Sequence, residues 1–391
     1  MFLQACGFGL QNCWVLPVWI ICRRLRFREQ ECVLTSLLLA ATPFVFFNTV
    51  YLWPKLLAAT FCLAQYLFLT PSPRDLRRSL FLRPVFGGTA AALAILSHAG
   101  AAVAALAIFV VGTYMSYQGQ IGSSARDKQG TLLRRWQPLL LSIVACILVF
   151  SPWLLWTKYG LPTSDPLPKY FLTGGFGFET PTDDVVHVVQ RFYRTLTLKG
   201  WLTAKALGLE TLGGFYYGDL YKPFGTITDL WDRLRAVRAF QFLYLLPCLG
   251  VLIAPIAALL LGRKQLGWNA DARRFIAGLG CAAIFSFVLQ FALMMSPHLL
   301  HHYPYFISST LLLLAVIGIV VWRERPLIRW LALVNYVGFL CLWIALPIAQ
   351  TTIASMTTLV LSLVLVLAAI IMTFRLLFGL PWLPRTPARQ T

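Results

Sequence analysis

Apolar residues in this chain come in long unbroken runs, not in the one-face stripes of a soluble helix or the alternation of a half-buried strand. The runs cover residues 6–22, 32–52, 56–70, 85–97, 101–117, 138–157, 239–262, 275–296, 306–322, 328–349 and 353–378. A helix needs about 20 mostly apolar residues to cross a bilayer, so eleven spans are expected. The third to fifth are short and closely joined, and two of them can fuse into one broken helix, giving ten. The fold class that follows is all-α, a polytopic transmembrane helix bundle of about eleven spans with a mostly helical outer loop region. Residues 1–157 would form the N-terminal transmembrane helices, 158–238 the large non-cytoplasmic loop region, and 239–391 the C-terminal transmembrane helices and a cytoplasmic tail.

The loop region opens irregularly, with Pro162, Pro166, Pro168 and the glycines at 174, 175 and 177. A helix is then expected with Thr180 as N-cap, Pro181 first in the helix and Asp183 at the capping-box position, carrying Val185, Val186, Val189, Phe192 and Tyr193. A second is expected from about Leu198 to Thr211, stopping at Gly213 and Gly214, with Trp201 and leucines on an apolar face that suits a membrane surface. A third stretch begins near Thr228, where Asp229 and Asp232 followed by Arg233, Arg235 and Arg238 match the helix dipole.

Composition sharpens this picture. Of 391 residues, 59% are hydrophobic and only 12% charged, too apolar for a soluble core of this size. A formal charge of +19 would suit nucleic acid only if the cations gathered on one soluble face. Instead they form short clusters between apolar runs, so nucleic acid is not an expected partner and the lipid bilayer is. The clusters are Arg23, Arg24, Arg26 and Arg28; Arg74, Arg77, Arg78 and Arg83; Arg126, Lys128, Arg134 and Arg135; Arg263, Lys264, Arg273 and Arg274; Arg323, Arg325 and Arg329; and Arg375, Arg385 and Arg389. They occupy alternate loops, as the positive-inside rule demands. That puts the C-terminus in the cytoplasm and the N-terminus outside, in an arrangement suited to a bacterial inner membrane. One further helix and loop ahead of Met1 would account for the unusual outside N-terminus.

The first run has no basic residue before it and no small-residue cleavage site after it, so it reads as a span, not a secretory signal. All nine cysteines fall in or beside apolar runs, with no CxxC pair, which argues against a disulfide framework or a zinc site. No acidic residue lies inside a span, leaving a carboxylate relay for ion-coupled transport without a seat. Walker A, GxSxG, HExxH and DxD motifs are absent.

Several residues invite chemistry, each with an ordinary structural reading beside it. Lys55, after Trp53 and Pro54 at the outer end of a span, can meet a lipid phosphate or simply snorkel to the interface. His98, at the corner between two helices, can donate to a phosphate, shuttle a proton, or cap a helix. His298, His301 and His302 cluster with Tyr303 and Tyr305 in one short outer loop, fit for phosphate or sugar contact or for an interfacial aromatic belt; a metal there would need ligands that the neighbouring sequence lacks. Arg191 and Arg194 flank Phe192 and Tyr193 on the loop helix, suiting a diphosphate and a sugar ring or merely a solvated face. Asp183 and Asp184 can be a base or first-turn helix acids. No cofactor is called for, and a divalent metal stays open.

Four places together carry a resemblance: Leu16-Pro17 through Cys22-Arg23-Arg24; Asn48 through Trp53-Pro54-Lys55-Leu56; Ser151-Pro152-Trp153 leading to Lys169-Tyr170-Phe171-Leu172; and His301-His302-Tyr303 before a span. In layout over most of its length the chain resembles the polytopic glycosyltransferases of the GT-C class, which include protein mannosyltransferases and lipid A aminoarabinose transferases. The resemblance implies sugar transfer from a polyprenyl-phosphate-linked donor to a saccharide, lipid or protein acceptor at the non-cytoplasmic face, with inversion. Lys55, His98 and Arg191 would neutralise the departing lipid phosphate, and Arg194, His301 and His302 would contact the substrate. The family's catalytic aspartate sits in a first outer loop that has no counterpart here, so the catalytic base is unknown, and a missing amino-terminal span and loop are expected. Two other classes remain: a transporter or flippase of lipid-linked saccharide, and a non-catalytic membrane partner. A lipid-oligosaccharide ligase is the alternative within the enzymes.

Overall fold

The computed structural model describes residues 9–42, 44–45, 48, 54–70, 81–123, 132–160, 166–174, 184–212, 255–261, 268–295, 305–333 and 356–379. Among them the protein is all-helical, 88% helix with no strands. In chain order the helices are α1 (Val15–Arg24), α2 (Glu29–Ala40), α3 (Lys55–Leu69), α4 (Leu82–Ser97), α5 (Ala101–Ser123), α6 (Leu132–Tyr159), α7 (Pro166–Thr173), α8 (Val185–Thr195), α9 (Leu198–Leu212), α10 (Ala270–Leu293), α11 (Tyr305–Val321) and α12 (Met356–Phe378). The third, fourth and fifth apolar runs are separate helices, none fused.

Two helical stretches, Trp136–Tyr159 in α6 and Ala270–Leu293, are long and apolar enough to cross a membrane; α3, α4, Ala101–Ser116 and Phe306–Val321 are shorter apolar helices. Helix α3 sits centrally, packing against α1, α4, α5 and α11. Helix α11 is buried on nearly every side from Phe306 to Val320, as a helix apolar all round must be if it is not to face water. Helix α6 is the opposite case. Leu140, Val144, Ile147, Leu148, Leu155 and Trp156 all lie exposed along it, Leu148 at 66%.

Polar side chains tie the apolar helices together where a backbone group can accept. Gln65 of α3 donates to the Ala105 carbonyl at 3.0 Å, and Tyr66 donates to the Phe275 carbonyl of α10 at 2.6 Å. Gly278, one turn on from Phe275, leaves the room that this approach needs: a Cβ there would lie 2.6 Å from the tyrosine oxygen. Between α4 and α6 the approach is closer still, since a Cβ on Gly88 would overlap the Ser142 carbonyl oxygen while Ser142 Oγ donates to the Pro84 carbonyl at 2.6 Å. Pro152 inside α6 cannot donate to the Leu148 carbonyl, and the Ser151 hydroxyl does so instead at 3.0 Å.

Helix α1 ends in a Schellman turn: Phe27 N–H donates to the Cys22 carbonyl and Arg26 N–H to the Arg23 carbonyl, both at 3.0 Å. The left-handed residue that this turn requires is usually glycine, but here it is Arg26, at φ 65°. A side chain in that conformation costs roughly 1–2 kcal/mol. Helix α10 begins conventionally, the Asn269 side chain accepting from Ala272 N–H at 2.9 Å with Asp271 in the first turn.

Of the loop helices, α9 runs as expected, from Leu198 to Leu212. Helix α8 starts later than expected, at Val185, with Asp184 rather than Thr180 in the N-cap place. Aspartate is itself a favoured N-cap residue and its backbone here is extended, at ψ 138°. Thr180, Pro181 and Asp183, the stretch after Thr228, the span at 239–262 up to residue 254, and much of 328–349 lie outside the described residues.

Candidate functional site

At the end where α3 starts, Lys55 and His98, 43 positions apart in sequence, line one narrow crevice together with Ala58, Ala59, Cys62, Ala101 and Phe306. The crevice is tightly closed, with no room for a water molecule. Lys55 is only 3% exposed, so the snorkelling reading of this lysine does not describe its position. Helix α3 begins after Pro54, whose own missing N–H suits a helix start, and Gln11 accepts from Leu57 N–H at 3.2 Å, capping the first turn beside Lys55.

His98 is the C-cap of α4, with extended backbone at φ −159°. Its main chain joins two helices: its N–H donates to the Ala94 carbonyl at 3.0 Å, and its own carbonyl accepts from Ala101 N–H at 2.9 Å. Nδ1 accepts from Gly100 N–H at 3.2 Å, so the neutral ring carries its proton on Nε2. The capping reading of His98 therefore holds for its backbone and Nδ1. His301 and His302 lie outside the described residues, four and three positions before Tyr305, where α11 begins.

Arg191 and Arg194 are exposed on α8, a helix that packs mainly on α7, and neither lines the Lys55–His98 crevice. Phe192 and Tyr193 between them meet edge to face, centroids 5.2 Å apart. Asp184 lies 3.4 Å from His187 Nδ1. Among the described residues no three metal-ligating side chains gather.

One cation ties the loop helices more firmly than its sequence context suggested. Lys205 of α9 is 5% exposed, and its ammonium donates to the carbonyls of Phe291 at 2.5 Å, Ala292 at 3.0 Å and Met294 at 2.6 Å. Three donors meet three acceptors at the C-terminus of α10, where the helix dipole also favours a cation. Trp201 and Phe291 rings stand 5.5 and 5.4 Å from the same nitrogen. Burial pushes the ammonium down to about 8, which leaves it charged at neutral pH. Helix α7 docks alongside, its Phe171 carbonyl accepting from Met295 N–H at 3.0 Å.

Charged hydrogen bonds contribute about 1.5–3 kcal/mol each, and their loss orphans buried carbonyls. Lys205→Met is therefore expected to raise amide hydrogen exchange across 198–212 by at least about tenfold, one decade per ~1.4 kcal/mol. Unchanged protection there would mean that the clasp contributes nothing to holding α9.

A much larger cavity, about 880 Å³ in volume, runs along α3 from Leu57 to Phe68 on the side facing α1. Its wall is mainly apolar, with Thr60 among the α3 residues, and also includes Arg23, Arg24, Arg26, Arg83, Asn269 and Asp271. Arg24 is engaged there: it donates to the Thr70 carbonyl, lies 3.6 Å from Asp271 and stacks 4.0 Å over Phe275.

Comparison with known proteins finds no family model, no curated protein and no solved structure that matches the chain.

Proposed function

We propose that the chain is a multi-pass integral membrane protein of about eleven spans that transfers a sugar from a polyprenyl-phosphate-linked donor to an acceptor at the non-cytoplasmic face. In this reading it resides in a bacterial inner membrane, N-terminus outside and C-terminus cytoplasmic. The observation that carries the reading is the meeting of buried Lys55 and His98 in one crevice at the end of the bundle away from the arginines. The exposed apolar face of α6 supports the bilayer, since leaving that many large hydrophobic side chains in water would be prohibitive for a stable monomer.

The chemistry assigned to the crevice is electrostatic. When the bond between the anomeric carbon and the donor's phosphate oxygen breaks, negative charge develops on the departing polyprenyl phosphate. The Lys55 side chain and the His98 imidazole would stabilise it once the donor's phosphate has parted the crevice walls, and preorganised donors of this kind act most strongly where water is excluded. Arg191 and Arg194 would bind the phosphate or saccharide from the loop side, with His301 and His302 completing the outer rim. The acceptor attacks from the opposite face of the sugar, giving inversion, and its proton passes to a base not yet assigned.

The test is discharge of a donor. Full-length protein in liposomes, given a polyprenyl-phosphate hexose and a membrane extract as acceptor, is expected to release polyprenyl phosphate with first-order kinetics and to glycosylate a component of the extract. Movement of intact donor across the bilayer without discharge would favour the transporter. Neither discharge nor movement would leave the non-catalytic partner.

A further inference from the structure

We infer that the 880 Å³ cavity between α1 and α3 is a binding site for one anionic phospholipid at the arginine-bearing end of the bundle, separate from the Lys55–His98 crevice. This rests on the membrane placement proposed above, not on sugar transfer.

The shape and the polarity of the cavity agree on this occupant. Its α3 wall runs from Leu57 to Phe68, a length of about 16 Å at the helical rise of 1.5 Å per residue. One leaflet of the hydrocarbon core is about 15 Å thick, half of ~30 Å. The groove is thus as long as an acyl chain in a single leaflet. Its long walls are apolar, Leu16 and Ile20 from α1 facing Phe61 and Phe68 from α3. Leu16 and Ile20 are also largely exposed, so the groove opens sideways, where a lipid can enter without leaving the bilayer. The volume lies in the ordinary range for a small-molecule site.

All charge is at one end. Arg24 is held by Asp271 and Phe275, so it serves mainly to anchor the wall. Arg23 donates to the Phe27 carbonyl at 3.2 Å, steadying its guanidinium beside the mouth. Arg26 makes no side-chain hydrogen bond or ion pair among the described residues, yet it occupies the left-handed position of the Schellman turn, where glycine would sit without strain. An arginine kept there against its backbone preference projects a guanidinium at the mouth. Guanidinium forks bind phosphate with two parallel hydrogen bonds, and a basic cluster at the membrane surface attracts anionic headgroups. A zwitterionic headgroup offers no net charge to this end, and a free phosphate would leave the apolar groove unfilled.

Arg26→Gly separates fold from binding, because glycine relieves the turn while the charge is lost. Protein that stays in membranes through an alkaline carbonate wash is purified in detergent and titrated with phosphatidylglycerol, phosphatidylcholine or inorganic phosphate. Thermal stability and lipid retained per protein are read together. Wild-type chain should be stabilised by phosphatidylglycerol only. Arg26→Gly should be at least as stable without lipid but bind phosphatidylglycerol about tenfold more weakly, with Arg26→Lys keeping most of the affinity. Ile20→Trp, which fills the groove, should lower retention without touching the arginines. Equal retention of both lipids, stabilisation by inorganic phosphate alone, or an Arg26→Gly affinity equal to wild type would each overturn the lipid site. Loss of the protein to the carbonate wash would instead overturn the membrane placement.

Discussion

In the proposed transferase, Lys55→Met is expected to slow sugar transfer by at least about 100-fold while the protein still unfolds cooperatively. The lysine is 3% exposed at the start of an apolar helix, where its solvation is poor, and methionine keeps most of its shape. The same poor solvation is what makes the cation effective against a developing phosphate charge; loss of one preorganised donor in such a site costs about 10²–10³ in kcat. Single-turnover discharge of a polyprenyl-phosphate hexose, with a melting curve on the same preparation, checks both. A variant within twofold of wild type would reduce Lys55 to a structural cation and remove the main support for the transferase. His98→Gln, which keeps a donor at the rim, should lose less, about tenfold, through kcat.

The second large effect is structural and lies on the α4–α6 contact. Gly88→Ala would drive a methyl group into the Ser142 carbonyl oxygen, a backbone atom that cannot rotate aside. Overpacking typically costs about 1–3 kcal/mol, occasionally more, and a rigid obstacle belongs at the top of that range. The Ser142 hydroxyl bond to Pro84 would break as the helices separate. Gly280→Ala is the internal control, since the nearest atom to its added Cβ is Leu314 Cδ1 at 3.8 Å. Thermal unfolding of detergent-solubilised protein should fall sharply for Gly88→Ala and change little for Gly280→Ala. Equal melting points would mean that α4 and α6 slide apart freely at this crossing.

Several of the described helices were legible because their apolar runs end at Arg, Pro or Gly, and the run at 56–70 gave α3 within one residue at each end. The run at 32–52 did not give one helix: α2 covers Glu29–Ala40 and the chain turns at Ala41 and Thr42. Lys55 and His98 were each conspicuous as a polar residue at a span end, but their meeting was not. It depends on α3 packing beside the α4–α5 corner, and continuous apolar runs carry no pattern that pairs one helix with another. Lys205 was invisible for a different reason. A lysine on a helix with mixed faces reads as solvated, and its acceptors belong to the last turn of a helix 86 to 89 positions later. Arg26 was hidden in a basic cluster read only for its charge, because helix ends are sought by glycine. The start of α8 was misjudged because Thr180-Pro181 is a strong local stop-and-start signal, whereas the observed start uses Asp184, four residues on. The histidine pair at 301 and 302 lies beyond the described residues and keeps only its sequence argument.

The clasp of Lys205 on the end of α10 also orders events during synthesis. Its three carbonyl partners are made 86 to 89 residues after it, about 4–18 s of translation at 5–20 residues per second. For that interval α9 has its cation and its aromatic face ready but nothing to close upon. Helix α9 therefore cannot reach its final arrangement as it emerges. It must wait for a later helix to arrive, and a ribosome stalled before residue 291 would leave α9 undocked however long it paused.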